Sequence, residues 1–230
     1  MPEKVEKIVG VFESDKKVGM VFTNALVVDE NLKPYPQKLW HYFGFDDTIQ
    51  RIVRNGRFWT ILGWNSYVTG ATMAFHSRLR DMLYPFPKGW VHDEWITFVA
   101  DLTSRIEMIP EPLIKYRRHS NQQIGVKIRE RSAFVKWRHA IFPDGHRSRC
   151  KFRIERIGPI IERIMHFRDK LRDKKMVSEL ENYLAHWRFR FNLPKSLWKK
   201  HRLVQNELMS GRYRRYSGSG RIAIKDLFDI

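Results

Sequence analysis

The apolar residues of this chain follow two different spacings, and the change between them falls near residue 125. Before that point helix-like and strand-like segments alternate, and Val18 to Val28 is the longest strand-like run. After it every periodic segment has the three-to-four spacing of a packed helix. The sequence therefore predicts an α/β domain over residues 1–125 and a helical extension over residues 126–230.

The α/β interpretation of residues 1–125 depends on several short segments. Val5 to Phe12 is spaced as a helix, and a second longer helix is predicted from Asp93 to Ser104. Further strands are predicted at Tyr67 to Phe75, Ile106 to Ile109 and Leu113 to Tyr116. Alternating elements of this kind are typical of half of an α/β sandwich.

Three helices are predicted in the extension, each from a local signal. Pro159 suits the first position of a helix, because a backbone N–H at that position has no partner within the helix and proline has no N–H to leave unpaired. Ser178, followed three residues later by Glu181, predicts a capping box at the start of the second helix. A third helix is expected to end at Gly211.

The positive charge of the chain is concentrated in the extension. Residues 1–125 carry 16 lysines and arginines against 14 acidic residues, whereas residues 126–230 carry 27 against 11. Three interpretations stay open: binding to an anionic membrane surface, binding to nucleic acid, or a solvated basic face. The membrane interpretation is favoured over nucleic acid, because aromatic residues accompany the charge and no nucleic-acid motif does: Trp187, Phe189, Phe191 and Trp198.

Targeting signals and cysteine usage bear on location. No signal-peptide pattern precedes the first predicted helix, and no apolar run approaches the ~20 residues that span a bilayer. The single cysteine, Cys150, excludes an internal disulfide and a cysteine-rich zinc site. We therefore expect a cytoplasmic protein, peripheral at the inner face of the plasma membrane if the basic extension binds lipid.

Four segments follow one another between Val68 and Asn121: Val68 to Phe75, Pro85 to Pro87, His92 to Ile96, and Tyr116 to Asn121. Their order and spacing resemble the acceptor half of bacterial family 2 glycosyltransferases with the GT-A fold. The resemblance covers roughly residues 1–125. It implies a partial GT-A, Rossmann-like sandwich followed by the basic helical extension.

The resemblance implies that Asp93 is the catalytic base. An inverting sugar transfer needs a carboxylate that takes the proton of the acceptor hydroxyl, and Asp93 occupies the matching place at a helix start. An N-terminal cap is the alternative, since Asp is a good capping residue. Glu94 either orients the acceptor or lies on a solvated face, and His92 is a structural hydrogen-bond partner more often than a catalyst.

Other residues receive roles from the same resemblance. Gly70, Ala71, Glu94 and Trp95 are predicted to bind the acceptor, with Gly70 allowing close approach of the backbone. Arg117 and Arg118 are predicted to bind the donor diphosphate, because guanidinium groups match phosphate oxygens. His119 is predicted to ligate a divalent metal, with Mn²⁺ more suitable for imidazole than Mg²⁺.

The resemblance also exposes a gap on the donor side. In the family, an Asp-x-Asp metal motif is closely followed by a second segment, and Met1 to Lys4 resembles the tail of that segment. The chain is therefore expected to begin just after the donor-binding residues. Asp46 and Asp47 do not replace that motif, because they come in the wrong order, after the second strand region. A helix start is the expected role for them.

The sequence as a whole predicts a glycosyltransferase that moves a sugar from a nucleotide-diphosphate donor to a glycan or lipid-linked acceptor in cell-envelope synthesis, with little transfer by this chain alone. One alternative is a non-catalytic remnant that binds a membrane or a partner. A basic nucleic-acid-binding protein is the second alternative.

Overall fold

A computed structural model of the chain describes residues 1–62, 67–118 and 146–228. The described residues form two compact units. Residues 1–118 form the N-terminal unit together with the short segment Asp169–Asp173. Residues 146–168 and 174–228 form the C-terminal unit. The segment Asp169–Asp173 is far away in the sequence, and no periodicity marked it as part of the first unit.

The N-terminal unit contains five α-helices and four strands in its described residues. The helices are α1 (Glu3–Ser14), α2 (Leu39–Phe43), α3 (Asp47–Arg54), α4 (Arg80–Leu83) and α5 (His92–Thr103). The strands are β1 (Val18–Val28), β2 (Pro34–Lys38), β3 (Met73–Phe75) and β4 (Arg105–Arg117). Short 3-10 turns lie at Phe58–Thr60, Gly70–Thr72 and Ser77–Leu79.

The four strands form one mixed sheet in which β1 pairs with all the others. The parallel strand β4 pairs with β1 from Val18 to Val28 and so occupies one of its edges. The antiparallel strands β3 and β2 share the other edge: Met73 pairs with Phe22, and Lys38 pairs with Leu26. The α/β class is therefore confirmed. A Rossmann-like sheet is mostly parallel, whereas here only the β1–β4 pair is parallel.

Strand β1 is buried along nearly its whole length, as a central strand covered on both faces should be. Helix α1 packs Ile8 against Val18 and Val21. An aromatic cluster surrounds Phe22, whose ring lies 5.7 Å from Trp40, 5.5 Å from Phe45 and 6.2 Å from Phe58. This cluster provides the unit with a core built by ring packing.

Two strand predictions for this unit need correction. Of the predicted strand from Tyr67 to Phe75, only Met73–Phe75 is a strand, because Gly70–Thr72 forms a 3-10 turn. The two strands predicted after α5 are one continuous strand, β4. Its register jumps between the pairs Thr23–Ile109 and Asn24–Pro112, which leaves Pro110 and Glu111 outside the ladder. Pro110, which cannot donate a ladder hydrogen bond, is thus accommodated at the register shift.

The C-terminal unit is helical in its described residues. Its helices are α6 (His146–Met165), α7 (Met176–Phe191), α8 (Leu197–Met209), α9 (Arg212–Tyr216) and α10 (Arg221–Phe228). A 3-10 turn at Arg168–Lys170 precedes α7. The predicted end of the third helix is confirmed, since Gly211 follows α8 with a left-handed φ of 76°.

Both predicted helix starts in this unit are wrong. Pro159 lies inside α6, where the buried residues Cys150, Ile157, Ile160 and Ile164 form a continuous face on both sides of it. Packing of that face offsets the hydrogen bond that proline cannot donate. Helix α7 begins at Met176, and Ser178 donates its hydroxyl to the Lys175 carbonyl at 2.8 Å instead of capping the helix.

Within the described residues, no helix combines the length and the apolar character that crossing a membrane requires.

Candidate active site

The candidate site is at the N-terminus of α5. Val91 occupies the capping position without a side-chain cap, and Asp93 is the second residue of the helix, so the capping role considered for Asp93 is wrong. Asp93 Oδ1 accepts a hydrogen bond from the Glu94 amide at 2.8 Å. Both carboxylates lie in the first turn, where the helix dipole favours negative charge.

Asp93 and Glu94 are mostly buried, with exposed fractions of 8% and 9%. The Asp93 carbonyl accepts the Thr97 hydroxyl at 2.6 Å, which ties the first two turns of α5 together. Glu94 is therefore not on a solvated face. His92, one residue earlier, is exposed. In the first turn of α5, the exposed imidazole of His92 thus stands next in sequence to the largely buried carboxylate of Asp93.

The Gly70 turn lies directly against this helix start. A Cβ atom on Gly70 would be 2.6 Å from Nε2 of His92, so the missing side chain makes room for the imidazole ring. The neighbouring Ala71 carbonyl accepts a hydrogen bond from Lys4 Nζ at 2.8 Å. Burial lowers the pKa of Lys4. The structure therefore brings together α1, the turn and α5, and with them the predicted residues Gly70, Ala71 and Asp93.

A half-open cavity of about 650 Å³ adjoins the helix start. His92 and Ile96 line it from α5, and Arg80 and Leu83 line it from α4. The other lining residues are Phe75, Ser77, Tyr84 and Phe86. Its three aromatic side chains are partly exposed, and the rings of Tyr84 and Phe86 meet edge to face at 5.1 Å. Exposed rings around an open cavity suit a ligand with flat apolar faces.

Trp95 does not line this cavity. Its side chain is fully buried, its Nε1 donates to the Leu83 carbonyl at 2.9 Å, and its ring stacks on Phe98. A direct contact between Trp95 and an acceptor is thus not possible in this conformation. Trp95 instead supports the cavity wall from behind, through the backbone of Leu83.

Arg117 and Arg118 lie elsewhere in the unit. Arg117 pairs with Val28, six residues beyond Phe22, or roughly 20 Å along β1 from the point where β3 pairs. The Arg118 amide donates to the Val28 carbonyl at 2.8 Å, and its guanidinium lies 5.7 Å from the Tyr35 ring. Neither arginine has a hydrogen bond or an ion pair with Asp93 within the described part of the chain. His119, the predicted metal ligand, lies outside the described residues.

No metal site is present among the described residues, since no three His, Cys, Asp or Glu side chains there are grouped to hold an ion. Asp46 caps α3, with Oδ1 accepting the amides of Thr48 and Ile49 at 3.0 and 3.1 Å. This is the helix-start role expected for it.

Sequence reasoning missed the aromatic wall of the cavity. The signal was present at Tyr84 to Pro87, where two aromatic residues alternate with prolines. Proline restricts the residue before it to extended backbone, which keeps both rings out of a helix. The place of His92 at this site could not be predicted from a local pattern either, because its ring lies against Gly70, which is 22 positions away in the sequence.

Comparisons of the chain with protein-family models, with curated proteins and with solved structures found no match.

Proposed function

We propose that the N-terminal unit is the acceptor-binding part of a family 2-like, GT-A glycosyltransferase. The observation that carries the proposal is an open cavity with aromatic walls, lined by the exposed His92, which directly precedes the largely buried Asp93 in the first turn of α5. Sugar rings have apolar faces that pack on aromatic side chains, and their hydroxyls need polar partners near the reacting atom.

In this proposal Asp93 takes the proton of an acceptor hydroxyl. The hydroxyl oxygen attacks the anomeric carbon of the donor, the bond from that carbon to the diphosphate oxygen breaks, and the nucleoside diphosphate leaves. General-base catalysis of this kind contributes about 10²- to 10⁴-fold. Because Asp93 is largely buried, His92 is the side chain that first meets the acceptor, and it orients the hydroxyl toward the carboxylate.

The test is sugar transfer from nucleotide-sugar donors to oligosaccharide and lipid-linked acceptors, with products identified by mass spectrometry. Asp93→Asn is expected to lower the transfer rate by about 10²- to 10⁴-fold. The matched control is Asp81→Asn, since Asp81 lies on α4 of the same unit with a side chain 79% exposed. Equal rates for Asp93→Asn and the control would remove Asp93 from the role of base.

Binding of the acceptor can be measured without any donor. We expect saturation-transfer NMR to show contact between an acceptor oligosaccharide and the protein, and Tyr84→Ala to weaken it. Tyr84 is 64% exposed, so its loss should not unfold the unit. Tyr35→Ala is the control, because that ring lies near Arg118 at the far end of β4. Acceptor binding that is insensitive to Tyr84 would contradict the proposed location.

A second proposal concerns an anionic membrane surface, and it is favoured by the exposure of Trp198. This residue is 85% exposed near the start of α8, and the exposed basic residues Lys195, Lys199 and Arg202 surround it in sequence. A tryptophan among basic side chains suits the interface of an anionic bilayer. Of the other aromatic residues predicted to contribute, Trp187 is buried and Phe189 and Phe191 are half-buried.

Co-sedimentation with phosphatidylserine vesicles at ~150 mM salt tests this surface. Trp198→Ala is expected to lower the bound fraction, and Gln205→Ala, exposed on the same helix, should leave it unchanged. If the bound fraction is the same for both variants, Trp198 is not the contact. Steeply salt-dependent binding to single-stranded DNA, with none to vesicles, would favour the nucleic-acid alternative.

A further inference from the structure

Three side chains of the C-terminal unit form a continuous chain of hydrogen bonds. Ser217 Oγ lies 2.8 Å from Nε2 of His186, and Nδ1 of His186 lies 2.8 Å from Oε1 of Glu207. His186 belongs to α7, Glu207 to α8, and Ser217 directly follows α9. A hydroxyl on one imidazole nitrogen and a carboxylate on the other is the arrangement that activates a serine nucleophile.

Burial makes His186 suitable as a base. Its side chain is fully buried, and burial lowers its pKa in spite of the hydrogen bond with Glu207, so the imidazole is neutral at neutral pH. Burial alone would raise the pKa of Glu207, but the hydrogen bond with His186 and the charge of Arg212 outweigh it and the pKa is lowered. An ionised Glu207 accepts the Nδ1 proton, which leaves Nε2 to accept the proton of Ser217.

Ser217 is the only one of the three that is not buried. It begins the sequence Ser217 to Gly220, where the backbone amides of Gly218 and Ser219 donate no hydrogen bond within the described part of the chain. These amides are the nearest donors in sequence for a negative charge that develops beside Ser217. Ser217 is thus the member of the set that reaches the protein surface, while the base stays inside.

A guanidinium lies on the other side of the hydroxyl. Arg190 Nη1 donates to Ser217 Oγ at 3.0 Å, and Asp226 holds Arg190 through two hydrogen bonds of 2.7 and 2.9 Å. A fixed positive charge beside Oγ stabilises the developing alkoxide. Exposed Arg214 and Arg221 flank the same turn in sequence. These basic residues favour a substrate with negative charge.

We propose that Ser217, His186 and Glu207 form a nucleophilic site for acyl esters that carry a negative charge. Ser217 Oγ attacks the ester carbonyl carbon while its proton passes to His186 Nε2. The bond from that carbon to the alcohol oxygen breaks, and the alcohol leaves with the proton from His186. Water then hydrolyses the serine ester by the same route and releases the acid. This site is independent of the sugar transfer proposed for the N-terminal unit.

The test is covalent labelling of the full chain with a fluorophosphonate, followed by peptide mass spectrometry. Attack of Ser217 Oγ on phosphorus displaces fluoride and leaves a phosphonate ester on that residue. We expect the label on Ser217, its loss in Ser217→Ala, and unchanged labelling of Ser217 in Ser196→Ala, the matched control at an exposed serine of the same unit. Absence of label on Ser217 in the folded chain would overturn the proposal.

A second variant separates activation by His186 from simple exposure of a hydroxyl. His186→Gln keeps a polar side chain at the site but removes the base, so the labelling rate of Ser217 is expected to fall by about 10²- to 10⁴-fold. Circular dichroism checks that this variant is folded, and Arg188→Gln, exposed on the same helix, is its control. Equal labelling rates in the folded His186→Gln variant and the control would mean that the network is structural only.

Discussion

The two units of this molecule build their interiors in different ways. The N-terminal unit packs rings around Phe22, and the ion pairs of its described residues lie at the surface, as Arg105 and Asp15 do at 2.9 Å. The C-terminal unit takes charges inside: the ion pair between Arg190 and Asp226 is almost fully buried. Ring packing occurs in both interiors, and the buried ion pair distinguishes the C-terminal one.

The charge of the two units differs in the same sense. The C-terminal unit comes from the part of the chain with 27 basic residues against 11 acidic ones, and some of its basic residues are buried. Buried Arg153 lies 4.5 Å from the Trp187 ring, and buried Arg190 is held by Asp226. Removing a buried acidic residue would leave a buried basic residue unpaired, which lowers the free energy of unfolding. Single changes of charge should therefore affect the two units very differently.

The largest expected effect comes from Asp226→Ala. This change removes both acceptors of the Arg190 guanidinium and the acceptor of the Tyr213 hydroxyl, which donates to Asp226 at 2.8 Å. Breaking a buried ion pair from one side costs about 3–5 kcal/mol. Urea unfolding, followed by hydrogen exchange in α7 to α10, measures the loss.

The matched control is Asp81→Ala, which removes a carboxylate whose side chain is 79% exposed in the N-terminal unit. It is expected to change the free energy of unfolding by no more than about 0.5 kcal/mol. Equal losses for the two variants would mean that the interior ion pair gives the C-terminal unit no more stability than a surface charge gives the N-terminal unit.

One buried carboxylate of the N-terminal unit sharpens the comparison through its pH dependence. Asp101 accepts the Trp59 amide at 2.9 Å, and burial raises its pKa from 3.8 to about 6 against the lowering effects of that bond and of Arg172. Between these two values the folded state keeps a proton that the unfolded state has lost. The free energy of unfolding should therefore fall as the pH rises through this window, by about 3 kcal/mol at ~1.4 kcal/mol per pKa unit.

Asp101→Asn keeps an acceptor for the Trp59 amide and removes the titrating group. Urea unfolding at a series of pH values, read from hydrogen exchange in α5, should show that this variant lacks the fall between pH 3.8 and about 6. Asp81→Asn, the exposed control, should retain it. The interpretation fails if the fall has the same size in the wild-type chain and in Asp101→Asn.

Sequence reasoning succeeded where the signal was local and long. The predicted strand Val18–Val28 is confirmed. Its eleven residues form one strongly apolar run, and that pattern favours a buried strand. It failed where distant packing overrode a local rule. Pro159 predicts a helix start, yet α6 continues on both sides of it because the residues from Cys150 to Ile164 form one buried face.

The same limit applies to the candidate site. The approach of the Gly70 turn to the start of α5 could be predicted, because both stand in recognisable segments. The burial of Trp95 could not, since it depends on packing against Leu83 and Phe98. The position of Arg117 beside Val28 depends on the register of β4 against β1. A hydrogen-bonded set such as His186, Glu207 and Ser217 has no sequence motif, because three separate elements supply it.

A smaller effect is expected at Gly70 in the N-terminal unit. Gly70→Ala would put a Cβ atom 2.6 Å from Nε2 of His92, so the ring or the turn must shift. Overpacking of this kind costs about 1–3 kcal/mol. Chemical denaturation measures the cost, and the NMR chemical shifts of the His92 ring report its displacement.

Gly10→Ala is the control for Gly70→Ala. Gly10 lies within α1, and no atom is within 4 Å of its added Cβ. Alanine there should raise the stability by about 0.5–1 kcal/mol, because glycine is the weaker helix former. If Gly70→Ala raises the stability as Gly10→Ala does, Gly70 is not required for the packing of His92.

The smallest expected effect belongs to a surface ion pair of the N-terminal unit, between Lys7 of α1 and Glu111 of β4. Their side chains are 40% and 54% exposed, so water screens the attraction. A double-mutant cycle with Lys7→Ala and Glu111→Ala should give a coupling energy of about 0.2–1 kcal/mol that declines as salt is added. The same cycle on Arg190 and Asp226 should give a larger coupling that salt changes little, because water and ions do not reach that pair. Equal couplings with equal salt dependence would mean that the two interiors do not differ in the way that their burial indicates.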